Sequence, residues 1–319
     1  MNAQIIQEIL HRFNGMLQDL RRGNKEGKVG GLALGVLEAP TPTPSPLQTD
    51  NDLNILLAPG VEMAFVRVPA GEFLMGSNKG IDPEAFDSEL PQHKVYLDEY
   101  LIGKFPVTVA QFAAFMQASG YRTWAEREGS GWVYSDSKWK NAPGANWQHP
   151  LGPDSDVRQK ANHPVTQVCW EDATAFCKWA TKTSGKTIRL PSEAQWEKAA
   201  RGTDERIYTW GNQKPNQTTC NFNMNVKDTT QVGSYSPKGD SPYGCADMAG
   251  NVWEWVNGWY DANYYRKSPE RNPSGAARGK KRLVRGGSWI AEARYIRASD
   301  RLKNLPINWD DNIGFRCVS

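Results

Sequence analysis

The sequence predicts an α+β domain, rich in loops, that extends over residues 61–319. Short segments with alternating side chains, typical of β-strands, begin near Val61, and only a few stretches carry helical periodicity. The chain combines 13 Trp with 29 Gly and 20 Pro, which indicates large aromatic side chains packed between many turns. After residue 203 no long periodic segment is found, so loops and short strands are expected there.

An amphipathic helix is predicted over residues 1–22, because apolar side chains recur at helical spacing and Gly23 follows as a C-cap. The helix either packs on the main domain or serves self-association or the docking of a partner. Residues 23–60 are rich in Gly and then in Pro, which is typical of a semi-extended linker. A helix on such a linker favours the docking role slightly.

Two strand pairs are predicted at the start of the domain. Residues 63–69 alternate in polarity, and residues 71–76 turn and return, so the two segments together predict a β-hairpin. Residues 94–97 and 100–103 predict a second pair of strands.

Three helices are predicted from their capping residues. Thr108 is expected to begin the first helix, which Gly120 ends. The second is expected to begin at Glu171 or Asp172, since acidic residues favour a helix N-terminus. Ser192 begins a capping box that starts the third.

Charge and composition exclude several classes of protein. The net charge of +3 and one short basic cluster at residues 278–282 are too weak to predict binding to nucleic acid. That cluster is interpreted as an exposed loop beside a strand, with phosphate binding as the second interpretation. No run approaches the roughly 18 apolar residues of a membrane span, so no membrane contact is expected. The five scattered Cys and the absence of a signal-peptide pattern predict a cytoplasmic protein.

Several motifs occur in a specific order along the domain. They lie at residues 162–168, 170–173, 176–179, 189–197, 208–212 and 247–255, and in the ending formed by residues 285–289 and 314–317. Together they resemble the formylglycine-generating enzyme (sulfatase-modifying factor) family, whose fold is a variant of the C-type lectin fold. The resemblance covers about residues 61–319 and implies that fold for this domain.

A calcium site is implied by the same resemblance. In that family calcium lies at positions that match Asp247, Gly250, Val252 and Glu254. Carboxylate and carbonyl oxygens are the ligands that Ca²⁺ prefers, so structural calcium is expected here. The alternative is a capped turn at Gly250 whose carboxylates are solvated.

The resemblance also bears on catalysis. Oxidase members of the family use two cysteines between the Gly-Gly-Ser anchor and the Gly-Phe-Arg-Cys ending, where thiolates hold copper and engage a substrate cysteine. No cysteine lies in that interval here, and the four His lack the spacing of the iron-dependent branch. The sequence therefore predicts no copper, no iron, no catalytic residue and no enzymatic activity. An oxidase of the formylglycine-generating type, or another protein-modifying enzyme, is the alternative.

The segment between the two anchors, residues 290–312, has an unusual composition. Many of its residues can be encoded by codons that differ from an Asn codon only at the adenines; Trp309 requires another template codon. The segment resembles the variable region, here about residues 285–317, of the C-type-lectin-fold proteins diversified by retroelements. That resemblance implies a solvent-facing ligand-binding surface. Its predicted residues are Ile290, Ala291, Ala293, Tyr295, Asp300, Leu302, Asn304, Ile307, Trp309, Asp310 and Asp311.

This surface is expected to bind an unknown protein or another macromolecule. Tyr295 and Trp309 offer large contact areas, and Asp300, Asp310 and Asp311 make the surface acidic. A basic or polar protein partner is therefore favoured. The alternative is an ordinary surface loop in an inactive member of the oxidase family.

Overall fold

The computed structural model describes residues 53–319. The predicted helix of residues 1–22 and most of the predicted linker lie outside the described residues. Residues 53–133 and 141–319 belong to one large unit, and Tyr134–Lys140 falls outside it. No helix in the described part is long and apolar enough to cross a membrane.

The strands are short, and long connections join many of them. Their bounds are β1 Leu53–Ala58, β2 Val61–Val68, β3 Gly71–Met75, β4 His93–Leu97, β5 Tyr100–Gly103, β6 Ser130–Ser135, β7 Lys138–Pro143, β8 Trp253–Trp259, β9 Arg282–Arg285, β10 Leu302–Asn304 and β11 Ile313–Phe315. The predicted linker extended to residue 60, and β1 corrects that boundary. Ile55 and Leu57 are buried on one face of β1 while Leu56 is exposed, which is the alternation of a half-buried strand.

The predicted strand pairs are wrong in their partners. β2 pairs antiparallel with β1 on one side and with β5 on the other, whereas β3 pairs with β4. The linker prediction placed the residues of β1 outside the domain, so β2 was left without that partner. The alternation of polarity in the neighbouring segments then predicted that β2 would pair with β3. With both edges of β2 occupied, the next free partner of β3 along the chain is β4.

The sheet that positions the C-terminal segment has four strands in the order β10-β9-β8-β11. β9 runs antiparallel to β8, and β11 runs parallel to it on the other side. Both anchors of the segment are therefore hydrogen-bonded to the same central strand. β10 lies at one edge of the sheet.

The helices confirm the capping predictions, with one shift and one addition. Their bounds are α1 Val109–Ser119, α2 Trp124–Glu128, α3 Trp170–Ser184 and α4 Glu193–Arg201, with 3₁₀ turns at Asp87–Glu89, Tyr264–Arg266 and Ala293–Tyr295. Thr108 and Ser192 cap α1 and α4 as predicted. α3 begins just before the predicted residues, because the Asp172 carboxylate accepts the backbone N–H of Cys169 at 2.9 Å and so occupies the third helical position.

Aromatic side chains fill the core between the helices and the sheets. Phe112 of α1, Phe176 of α3 and Phe315 of β11 pack together, with ring centroids 5.4–6.4 Å apart. Phe112 and Phe315 contact edge to face, a favoured geometry for aromatic pairs. Trp196, Trp253 and Trp255 are buried as well.

Candidate functional site

Two close-packed glycines begin the C-terminal segment. Gly286 and Gly287 have φ angles of +93° and +73°, in the region that favours glycine. A Cβ on Gly287 would lie 2.4 Å from Cγ2 of Ile296, so no side chain fits there without displacing the segment. The chain therefore turns sharply after β9, and Gly287 packs directly against Ile296 further along the segment.

Buried arginines hold the segment to earlier parts of the domain, at the 3₁₀ turn of residues 87–89 and at α4. Arg297 donates to Glu89 and Arg301 to Glu193, at 2.7 and 2.6 Å, and all four side chains are almost fully buried. Removing one member of a buried ion pair leaves the other charge uncompensated, which is strongly destabilising. The middle of the segment is thus fixed rigidly in the fold.

The structure corrects the prediction that the candidate ligand-binding residues all face solvent. Partly exposed positions are Ile290, Ala293, Tyr295, Leu302, Asn304 and Ile307. Buried positions are Ala291, Asp300, Trp309, Asp310 and Asp311. The acidic surface predicted from the three aspartates is therefore absent, because all three carboxylates lie in the interior.

Trp309, which was predicted to face solvent, is instead part of the core. Its side chain is 3% exposed and stacks on Trp124, with 6.3 Å between the ring centroids. Its indole Nε1 donates to the carbonyl oxygen of Ser130 at 2.9 Å. A buried ring with a satisfied polar atom is part of the core rather than a contact surface.

Asp310 is a fully buried carboxylate. One oxygen accepts from Nδ2 of Asn308 at 2.8 Å, while Oδ1 has no hydrogen-bond partner among the described residues. Its main-chain oxygen accepts from the N–H of Gln167 at 2.9 Å, which ties the residue to the loop before α3. Burial raises the pKa of Asp310 to about 7, and the hydrogen bond from Asn308 opposes that shift only in part.

A small cleft with a cavity volume of about 20 Å³, partly open to solvent, lies beside the two ends of the segment. Its lining residues are Val109, Trp147, Pro150, Leu151, Val157, Lys160, His163, Pro164, Thr166, Lys227, Asp228, Thr229, Trp289 and Asp311. The first anchor contributes Trp289 and the segment contributes Asp311, whereas the other lining residues come from α1 and from loops far away in the sequence. The cleft therefore lies between the predicted binding segment and the rest of the domain.

Charged and polar side chains of the cleft pair with one another. Lys160 donates to Asp228 at 2.6 Å, and Nδ1 of His163 lies 3.0 Å from Oγ1 of Thr229. Burial lowers the pKa of His163, and the positive charge of Lys160 lowers it further. His163 is therefore an uncharged imidazole at neutral pH, able to accept a proton.

The four residues of the predicted calcium site do not fit a metal as a set. Both carboxylate oxygens of Glu254 accept from Arg316, at 2.6 and 2.7 Å, and one also accepts from Trp196. A guanidinium already compensates that charge. Asp247 is the better cation ligand, since burial raises its pKa to about 6 and only the N–H of Gly233 bonds its carboxylate among the described residues. Gly250 and Val252 lie in the connecting turn.

The thiols lie in the interior of the described residues. All five cysteines are free and buried. Burial raises the pKa of Cys220 to about 12 and that of Cys245 to about 11. Cys177 and Cys317 lie together, 3.6 Å apart at Sγ, inside the core.

The sequence of the domain matches the model of a known family. Residues 59–319 match the model of the sulfatase-modifying factor enzyme 1-like domain. The chain belongs to this family. The formylglycine-generating enzyme of Streptomyces coelicolor is 39% identical, over 80% of this chain and 88% of that protein. A mouse relative, the inactive C-alpha-formylglycine-generating enzyme 2, is 34% identical over 80% of this chain and 85% of its own length.

The fold agrees with this family assignment. The solved structure of Treponema denticola variable protein 1 superposes with a TM-score of 0.65 at 23% identity, over 85% of this chain and 99% of that one. Identity at this level shows a common fold and nothing finer.

The prediction that the chain is not an enzyme is wrong. Relatives that share 34–39% identity over at least 80% of the chain are named formylglycine-generating enzymes. The missing cysteine pair argues only against one arrangement of copper ligands. It does not follow that the protein lacks catalytic activity.

Sequence reasoning missed the cleft. Lys160 and Asp228 are 68 residues apart, and neither stands in a pattern that indicates its partner. His163 likewise contacts Thr229, which is 66 residues away in the sequence. Its position in the cleft depends on the fold of the intervening loops.

Proposed function

We propose that this family member is a protein-modifying enzyme that binds part of a polypeptide in the cleft between Trp289 and His163. The observation that supports the proposal most directly is the cleft itself, which is partly lined by the segment between the family's two anchors. The named activity of its relatives supports the same class of function.

The chain's own groups suit recognition and proton transfer at this site. Trp147 and Trp289 offer apolar walls, and the uncharged His163 can accept a proton from a bound side chain. None of the five buried cysteines lines the cleft, so no step is assigned to a thiol here. The proposed reaction is a modification of a side chain that the cleft orients.

The test is a survey of peptides by mass spectrometry. The purified protein is incubated with peptides that contain cysteine, serine or threonine, and each product is compared with its starting mass. A mass change that depends on the protein, and that falls at least tenfold in His163→Gln, supports the proposal. His149→Gln is the matched control, because His149 is absent from the cleft lining. No mass change with any peptide, despite native folding, would reject it.

A second candidate is display of a diversified binding surface. The partly exposed positions of the segment, such as Leu302, Asn304 and Ile307, support it. The test is to sequence the DNA that lies directly downstream of the gene. A near-copy of the last hundred or so bases, differing where the copy has adenine and accompanied by a reverse transcriptase frame, supports diversification. If both are missing, this candidate is rejected.

A further inference from the structure

Arg282, the first residue of the inner strand β9, is held between two indole rings. Its guanidinium carbon lies 3.8 Å from the ring centroid of Trp170 and 3.6 Å from that of Trp259. Trp259 is its cross-strand partner on β8, and Asn304 is its partner on β10. Stacking on both faces fixes the plane of the guanidinium, so its N–H groups point along that plane.

The charge of Arg282 has no acidic counterpart among the described residues. No carboxylate contributes to its pKa, which burial lowers to about 10, and its Nε has no hydrogen-bond partner. Arg271, which stacks on the ring of Tyr96, differs from Arg282 because its charge is paired with the carboxylate of Asp98. An oriented cation without a partner is a site for an anion.

The surroundings of Arg282 indicate what carries the anion. β10 is the edge strand beside it, and all three of its residues are partly exposed. No further described strand pairs with its outer side. Arg278 and Lys280, exposed just before β9, add positive charge. A strand edge offers main-chain hydrogen bonds, which an extended polypeptide can complete.

We propose that the surface formed by Trp170, Trp259, Arg282 and β10 binds an extended acidic segment of a partner protein. The segment adds a strand to β10 and places a carboxylate in the plane of the Arg282 guanidinium. An acidic polypeptide fits better than a nucleic acid because the basic stretch is short and the net charge is only +3. The proposal does not depend on the proposed reaction, because binding is measured without turnover.

The probe is an N-acetylated, fluorescently labelled octapeptide that alternates Glu and Thr, titrated by anisotropy at low and at high salt. Its first comparison is the same peptide with Gln in place of Glu. We expect the acidic peptide to bind about tenfold more tightly, the usual scale for a hydrogen bond to a charged group, and the difference to shrink with salt. Equal binding of the two peptides, or no binding of either, overturns the proposal.

Variants locate the effect. Arg282→Gln is expected to remove the preference for the acidic peptide, and Arg282→Lys to recover only part of it because a lysine cannot present the planar fork. Arg271→Gln is the matched control and should leave the preference intact, since that stacked arginine already pairs with Asp98. Near-UV circular dichroism of each variant verifies the fold. A preference that survives Arg282→Gln in a folded protein overturns the assignment.

Two further probes test strand addition and the class of partner. Two acidic peptides, each methylated at one of the two alternating sets of backbone nitrogens, keep their charges and lose the main-chain donors along one edge, so we expect the one that loses the pairing edge to bind at least tenfold more weakly. Binding of both methylated peptides as tight as that of the unmethylated one overturns the strand pairing. Tighter binding of a twelve-residue oligothymidylate than of the acidic peptide would assign the surface to a nucleic acid and overturn the proposal.

Discussion

Replacing Asp310 by Asn is expected to stabilise the protein at pH 8 and to have little effect at pH 4. The carboxyl is fully buried, and its only described side-chain partner is the amide of Asn308. Asn has the same shape without the charge. The substitution therefore removes the cost of ionising a group inside the domain while it keeps an oxygen for the Asn308 hydrogen bond.

The magnitude follows from the pKa. Burial raises the pKa of Asp310 from 3.8 to about 7. The native state therefore keeps a proton that the unfolded chain has lost, so wild-type stability falls as pH rises between about 4 and about 7 and is level above that. Each pH unit in this window costs up to about 1.4 kcal/mol, and the whole window up to about 4 kcal/mol. The pKa values of Asp300 and Asp247 are also raised, so these residues make the stability fall with pH in the same direction. Only the difference in stability between variant and wild type therefore isolates the contribution of Asp310.

The assay is urea unfolding of both proteins at several pH values from 4 to 8, with the free energies of unfolding compared at each. The variant should gain stability relative to wild type with increasing pH and level off near pH 7. Asp154→Asn is the control, because that side chain is exposed and its substitution should give a constant difference. Parallel pH profiles for wild type and Asp310→Asn would refute the reasoning and show that Asp310 is compensated by another charge.

Three further predictions follow from buried contacts. Trp309→Ala should lower the free energy of unfolding by about 3–5 kcal/mol in urea titrations, because it empties a core site, and a change below 1 kcal/mol would contradict that burial. Glu89→Gln should cost about 3 kcal/mol or more by leaving Arg297 with reduced compensation; an unchanged midpoint would show the pair to be dispensable. Cys177 and Cys317, whose Sγ atoms are 3.6 Å apart, should both stay free in glutathione disulfide, because both thiols are buried and burial raises the pKa of Cys317; peptide mapping that finds a disulfide between them would contradict this.

Local signals sufficed for the helices and for the family. Thr108 and Ser192 cap their helices where the sequence predicts, because a capping bond involves residues only three positions apart. The glycines after β9 were recognisable for a similar reason, since a sharp turn with positive φ restricts the residue type at that position. The family motifs are of this local kind, and their order along the chain identified the fold.

The tertiary structure alone decided which strands pair and which residues are buried. β2 and β3 alternate as hairpin strands do, yet each finds its partner elsewhere, because pairing depends on every strand that competes for an edge. Asp310 and Trp309 are polar and aromatic residues in an irregular segment, which is the composition of an exposed binding loop. They lie inside because Gln167 and Ser130, more than 140 residues away, supply the hydrogen bonds that make burial possible. A sequence states which groups need partners, and only the fold brings those partners within reach.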